Sequence, residues 1–377
     1  MKTIIKFFIL LLAITQFSTL ANNSEQQQAV HVVIQKYIDG TSNADPNLIT
    51  SAFHPKASLI LSHPNKPFWQ VTAKEFASWF KTKKVTRTGA ILSITVDNDI
   101  ATARAKITTA SPVKQYIDQF LLKRFSDGWK IVSKTASQLD ITQSEQFLAA
   151  MDKRVLFIVS SADFHGDSAL ATGTSFSELV EAYDVFINAG YQVDVVSSKG
   201  GTLPLAYINT SDKTHRQYIY NQDFMYKLAY TLAPEQVDPE KYLAVHYVGG
   251  GNAMYQVTEN KDIQAISMHV YEQNKGIISA VCHGTAGIVN LKLASGEYLV
   301  AGRKITGYPT AFEKTDAAYY QQFPFSIESL IKQRGGIFNY GQRNQSFIEV
   351  EGRIITGTNY QSSREVAQAM VKQLNNM

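Results

Sequence analysis

The chain has 377 residues, 45% hydrophobic and 18% charged, with a formal charge of only +4. That composition fits an ordinary globular protein of two or three domains and excludes a largely disordered or fibrous chain. There is no Lys/Arg run, so nucleic acid is not an expected partner. The single cysteine, Cys282, excludes an internal disulfide and leaves stability to core burial.

Met1 to Ala21 reads as a secretory signal. Lys2 and Lys6 form the basic start, Phe7 to Ile14 the apolar stretch, and Thr19-Leu20-Ala21 the cleavage site. The apolar run is well short of the ~20 residues a membrane span needs. Cleavage after Ala21 is therefore expected. The mature protein would have no membrane span and would be secreted or periplasmic, in a bacterium. An unpaired thiol is a liability in an oxidising compartment, which argues for a use.

Residues 26–138 carry a first pattern. Val30, Val33, Ile34 and Tyr37 make one apolar face of a helix over Gln27 to Tyr37. Asp45-Pro46 starts a short helix to Ala52, and Phe53-His54-Pro55 breaks it. Ala57 to Leu61 reads as a strand, and Thr72 caps a helix over Ala73 to Lys81. Strand-like runs follow at Gly89 to Asp97, Ile100 to Thr109, Tyr116 to Phe125 and Trp129 to Ser137, separated by turns. Three helices and a run of antiparallel strands make an α+β unit. With Tyr37-Ile38-Asp39-Gly40, Ala52-Phe53-His54-Pro55 and Ile94-Thr95-Val96-Asp97 before Ala101-Thr102-Ala103, this segment resembles the nuclear-transport-factor-2-like (SnoaL-like) cones, in their lumazine-binding-like branch. The resemblance implies an apolar pocket and makes a homodimer an expectation. His54 reads as a turn residue and His63 as exposed. No acid–base pair is evident.

Leu139 to Lys153 is polar and reads as a linker with some helix. From 154 to 377 the pattern changes. Arg154 to Ser160, Tyr191 to Ser197, Leu243 to Val248 and Ile277 to Val281 read as buried strands. Ser177 to Ala189, ended by Gly190, and Ile263 to Asn274 read as helices. This alternation implies a doubly wound α/β unit with a mainly parallel, flavodoxin-like sheet. Ligands bind such sheets at the carboxyl ends of the strands. Cys282 stands at one of those ends, Gly249-Gly250-Gly251 at another.

Cys282 and His283 sit between the last of those strands and an expected helix, Thr285 to Leu293, with Gly284 where a tight turn needs a small residue. A strand–nucleophile–helix junction presents its side chain sharply, and a helix N-terminus there favours the thiolate. A lone cysteine is also commonly a small buried hydrophobe. His165, His215, His246, His269 and His283 lack a metal-ligand spacing. The glycine run lacks the Lys-Ser/Thr of a phosphate loop. No metal and no cofactor are expected.

From about Arg154 to Leu374 the chain resembles the ThiJ/PfpI superfamily, with its class I glutamine amidotransferase-like fold. The resemblance rests on Ala280-Val281-Cys282-His283-Gly284, Thr172-Gly173 before Glu178, Gly190-Tyr191-Gln192-Val193-Asp194, Val248-Gly249-Gly250-Gly251-Asn252 and Gly352 to Asn359. Gly302-Arg303-Lys304-Ile305-Thr306-Gly307 followed by Glu313 is similar to the glyoxalase III and heat-shock-chaperone branch. The resemblance implies a Cys282–His283–Glu313 triad, with Glu178 contacting the sulfur. It places Gly250, Gly251 and Asn252 at the oxyanion or substrate. Asn252 departs from that branch, where histidine is usual. Pro204 to Tyr242 is rich in aromatics; a lid over the site is one reading of it, and it leaves the substrate open. Three functions fit: cofactor-free conversion of a small 2-oxoaldehyde to a 2-hydroxy acid, amide or peptide hydrolysis, and a redox-sensing or chaperone role without turnover.

Overall fold

The computed structural model describes residues 25–63, 65–66, 68–80, 87–110, 113–139 and 153–377. The expected signal segment lies outside the described residues, as does nearly all of the expected linker. The chain divides into two compact units, Met1–Ser144 and Glu145–Met377.

In the first unit a helix over residues 25–43 (α1) buries Val30, Val33, Ile34 and Tyr37, the face its spacing requires. Asp45 caps α2 (Pro46–Ala52) by accepting from the backbone N–H groups of Asn47 and Leu48. β1 (Phe53–Leu61) begins at once, so Phe53-His54-Pro55 opens a strand as well as ending a helix. A strand absent from the sequence reading, β2 (Trp69–Thr72), leads into α3 (Ala73–Ser78), which stops short of Lys81. β3 (Arg87–Asp97), β4 (Ile100–Ala110), β5 (Val113–Phe125) and β6 (Gly128–Leu139) form an antiparallel meander. Sheet order is β2-β1-β6-β5-β4-β3. The run from β3 to β6 is antiparallel as expected; the pairing of β1 with β6, on which the sequence reading made no statement, is parallel. Bulges in β3 and in the β5–β6 pairing increase the bend of the sheet. His54 Nδ1 accepts from the N–H of Lys56, a turn role, while His63 is only half-exposed and meets Trp69 edge-on.

The inner face of this sheet holds a charged pair that the sequence reading missed. Asp118, Phe120 and Leu122 alternate inward along β5, and Lys134 lies opposite Phe120 on β6. Lys134 Nζ is 2.9 Å from Asp118 Oδ1, with both side chains buried. The Tyr37 hydroxyl donates to Asp118 Oδ2 at 2.6 Å. Burial pulls the Lys134 ammonium below its usual range, against the pull of Asp118, and pushes the Tyr37 hydroxyl well up. Removing one partner of such a pair leaves the other charge buried and uncompensated. Asp118→Ala is expected to cost about 3–5 kcal/mol in the unfolding of the first unit. Denaturant titration of the full chain, with a probe in each unit, checks this. A loss below about 1 kcal/mol would mean water reaches Lys134.

The second unit is built on the sheet β7 (Arg154–Val159), β8 (Gln192–Ser197), β9 (Ala244–Tyr247), β10 (Ile277–Val281), β11 (Ile348–Glu351) and β12 (Ile354–Gly357). Their order is β11-β12-β10-β9-β7-β8. All pairings are parallel except β11 with β12, a hairpin turning through Gly352 at φ +61°. Alternate residues of β7 feed two separate cores: Val155, Phe157 and Val159 on one face, Leu156 and Ile158 on the other. Helices α4 (Phe176–Asn188) and α9 (Ser363–Leu374) contribute to the first core, α7 (Lys261–Glu272) and α8 (Ile327–Gln333) to the second.

Pro204 to Tyr242 is a folded part of this unit rather than a free lid. It holds α5 (Lys213–Ile219) and α6 (Gln222–Ala229), and Tyr218, Phe224 and Leu228 sit in the core beside α4. No helix among the described residues is long and apolar enough to cross a membrane.

Candidate active site

β10 ends at Val281, and Cys282 follows with φ +55°. A non-glycine residue in the left-handed region costs on the order of 1 kcal/mol or more, held here by the buried strand on one side and the turn on the other. The turn continues as a 3₁₀ helix, Cys282–Ile288, where an α-helix over Thr285 to Leu293 was expected. Gly284 packs so tightly under the Tyr247 carbonyl that a methyl group there would overlap it. The effect is to seat Cys282 buried at the floor of a cavity of about 920 Å³.

Glu178 reaches this floor from the first turn of α4. Ser175 caps that helix, accepting from the Glu178 N–H at 3.4 Å. Ser175-x-x-Glu178 is a capping-box spacing, in which the carboxylate would turn back to the cap backbone. Here it is diverted: Oε2 accepts from the Gly249 N–H at 2.9 Å, and the Ser175 N–H goes to the Gly249 carbonyl. The carboxyl also faces the Cys282 thiol, near enough that each shifts the titration of the other. A side chain on Gly249 would overlap both Glu178 Oε2 and Cβ of Cys282, so glycine is required for the two to meet.

Burial dominates the proton balance of this pair. It raises Glu178 from 4.5 to about 7 and pushes the Cys282 thiol well above 9. The expectation that a helix N-terminus lowers the thiol is therefore overturned, because desolvation and the Glu178 charge outweigh the His283 N–H that favours the anion. Near neutral pH the pair loses one of its two protons. The nucleophilic form is the one that leaves the remaining proton on Glu178, donated to the sulfur.

His283 bridges Cys282 to Glu313. Its Nδ1 is 3.5 Å from Sγ, and its Nε2 is 2.8 Å from Glu313 Oε1. With Nε2–H donated to the carboxylate, Nδ1 is left as the free base. The Tyr319 hydroxyl donates to Glu313 Oε2 at 3.3 Å. Tyr308 stacks on the imidazole with centroids 4.6 Å apart, and Phe323 meets it edge-on at 5.4 Å.

Gly250 and Gly251 also line the cavity. Gly250 has φ +111° and abuts the backbone of Gly173 and Ser175, so no side chain fits. Gly251 and His283 lie in the first turns of their 3₁₀ helices, which leave backbone N–H groups without internal partners. Such donors suit a developing oxyanion beside the sulfur. Asn252 does not join them. It is fully buried, its amide donating to the Ser160 carbonyl at 3.0 Å and the Thr174 hydroxyl at 3.1 Å. It braces the glycine loop from behind, which corrects its expected place at the substrate.

The sequence reading gave no site role to His165, Tyr308, Tyr319 and Phe323, which line the cavity together with Tyr207 of the aromatic segment Pro204 to Tyr242. For the first four, only the Tyr319-Tyr320 and Phe323 cluster, close after Glu313, gave a signal. His165 packs against Gly251 and is held below its usual range by burial, then by His283. Among the described residues no group of three or more His, Cys, Asp or Glu could hold a metal ion.

A stability test follows from Glu178. Its folded pKa lies above the unfolded value, so the proton is retained on folding. Its contribution is full below about 4.5 and is lost as pH rises through about 7. A shift of that size corresponds to about 3 kcal/mol. Wild type is expected to lose that much stability between pH 5 and pH 8, and Glu178→Gln to lose about 3 kcal/mol less. Urea denaturation at the two pH values measures the difference. Equal losses would mean Glu178 is hydrated in solution.

Comparison with known proteins follows the two units. Residues 25–137 match the family model for putative lumazine-binding domains, and residues 169–373 match that of the DJ-1/PfpI family. A glutathione-independent glyoxalase of Schizosaccharomyces pombe is 28% identical over 240 residues, 59% of this chain and 96% of that protein. A glutathione-independent glyoxalase of Saccharomyces cerevisiae is likewise 28% identical, over 59% of this chain and 99% of its own. Among solved structures, glyoxalase III of Candida albicans is 25% identical with a TM-score of 0.54, covering 59% of this chain and 97% of its own. The rapid encystment protein of Francisella tularensis is 27% identical with a TM-score of 0.56, covering 59% and 99%. The second unit's match covers more than half of the chain, which belongs to the DJ-1/PfpI family.

Proposed function

We propose that the second unit is a cofactor-free glyoxalase that converts a 2-oxoaldehyde to a 2-hydroxy acid. The observation that carries this reading is the placing of one imidazole between a buried thiol and a carboxylate, with a protonatable Glu178 on the other side of the sulfur. That arrangement supplies what an internal redox of adjacent carbons needs: a nucleophile, an acid and a mobile base. The glyoxalase relatives support it.

The Cys282 thiolate adds to the aldehyde carbon, forming a C–S bond as the C=O π bond opens, and the aldehyde oxygen takes the proton held by Glu178 to give a hemithioacetal. The N–H groups of Gly251 and His283 hold the oxygen while it is charged. His283 Nδ1 then removes the hydrogen from that carbon as a proton, and the electron pair moves through the enediol to the neighbouring carbon. The imidazolium, steadied by Glu313, returns the proton there. The hydroxyl proton on the first carbon passes to the oxygen of the second, so the aldehyde carbon is oxidised to a thioester and the ketone carbon reduced to an alcohol. Water cleaves the thioester, releasing the 2-hydroxy acid and restoring the thiol.

The test is turnover of methylglyoxal to lactate by the full chain without added thiol. Cys282→Ala is expected to lower kcat/KM by about 10³-fold or more, and Cys282→Ser nearly as much, because a hydroxyl lacks the accessible anion. Glu313→Gln keeps the shape but not the charge, with an expected loss of about 10- to 1000-fold. In wild type kcat/KM should rise with pH through about 7, as the Cys282–Glu178 pair gives up its first proton. Well-folded Cys282→Ala with activity near wild type would overturn the reading.

A further inference from the structure

The cavity above Cys282 is far larger than a three-carbon oxoaldehyde requires. At about 920 Å³ it lies near the top of the roughly 300–1,000 Å³ range of pockets that enclose drug-sized ligands. Two segments of different chemistry supply much of its wall. The segment after β10 supplies Tyr308, Tyr319 and Phe323, packed around His283. The segment from Tyr207 through the first turn of α5, together with the start of α4, supplies Ser177, Asn209, Asp212 and His215.

His215 is the informative member. It is 5% exposed, yet it lines the cavity. Its Nδ1 accepts from the Asn209 backbone N–H at 3.0 Å, and the His215 backbone N–H donates to Asp212 Oδ1, the cap of α5. Occupation of Nδ1 assigns the proton to Nε2. Among the described residues neither His215 Nε2 nor the Ser177 hydroxyl has a hydrogen-bond partner. Both groups open on the cavity, so a ligand that offers them hydrogen-bond partners is favoured over one that does not.

The charges along the walls restrict what that ligand carries. Asp212, Glu313 and Glu178 are acidic, and among the described residues Lys314, exposed, is the one Lys or Arg lining the cavity. A phosphate or carboxylate tail would meet like charge. Groups that both donate and accept suit a set made of an imidazole N–H, a hydroxyl, an amide and a carboxylate. Hydroxyl groups do both, and the C–H faces of a hydroxylated carbon chain pack on aromatic rings.

Resting on the glyoxalase reading, we infer that the substrate is an uncharged, polyhydroxylated, sugar-derived 2-oxoaldehyde. Its aldehyde lies at Cys282, and its hydroxylated tail is held by Ser177, Asp212 and His215, with His215 determining specificity.

The experiment compares kcat/KM of the full chain for methylglyoxal, for 3-deoxyglucosone (a six-carbon hydroxylated 2-oxoaldehyde) and for phenylglyoxal. The expected result is a preference for 3-deoxyglucosone of about tenfold or more over both others. His215→Phe should reduce the ratio of 3-deoxyglucosone to methylglyoxal by about 10- to 100-fold, and His215→Gln, which keeps a donor, by less. Ser177→Ala, at a half-buried position that tolerates the change, should reduce the same ratio by about 3- to 10-fold. Preference for methylglyoxal or phenylglyoxal overturns the inference and leaves the glyoxalase reading standing. So does a ratio that neither the His215 nor the Ser177 variants move. Absence of turnover on all three overturns both.

Discussion

The site depends on the approach of Glu178 to Cys282 across Gly249. The carboxyl from the start of α4 and the thiol from the end of β10 meet, largely buried, in a space that admits no side chain at residue 249. Burial is what couples them. In water each would titrate alone, but in the sheet's interior the ionised form of either is expensive unless the other holds a proton. One shared proton is therefore the stable state near neutral pH, and the reactive thiolate is a redistribution of that proton rather than a separate ionisation. The arrangement costs folding energy, since an acid with its pKa near 7 is being held out of water.

The rest of the second unit serves that approach. Two cores on opposite faces of a parallel sheet fix β9 and β10 side by side, so that the glycine loop after one and the elbow after the other end at the same level. Ser175 ties α4 to the glycine loop by a backbone bond, and Asn252 braces the loop from behind. His283 is positioned by rings rather than by the nucleophile: Tyr308 and Phe323 confine the imidazole, while Glu313, itself held by Tyr319, sets its tautomer. The first unit follows a different logic. Its core contains a buried ion pair, which contributes little net stability against an apolar pair of the same shape but makes removal of either partner costly.

Much of this was legible in the amino-acid sequence, for reasons that are local. Runs such as Arg154 to Ser160 are apolar on both faces, which only a doubly covered strand needs, and their alternation with helical spacing dictated a parallel sheet. Gly249 to Gly251 and the Cys282-His283-Gly284 elbow are visible because close packing restricts residue type at each position. Glu178 and Glu313 were placed by resemblance. Tertiary structure decided what depends on neighbours distant in the chain. It joined β1 to β6 in parallel, and it paired Asp118 with Lys134 from strands whose alternation alone makes both look like interruptions. It folded Pro204 to Tyr242 into the core, because Tyr218 and Phe224 find partners on α4 that no spacing reveals. It also reversed the sign of the Cys282 shift, since a short helix favours an anion only slightly while full burial opposes it strongly. Sequence by itself determined which residues the chemistry has available; packing decided their protonation, because desolvation is a property of the folded surroundings and not of the chain.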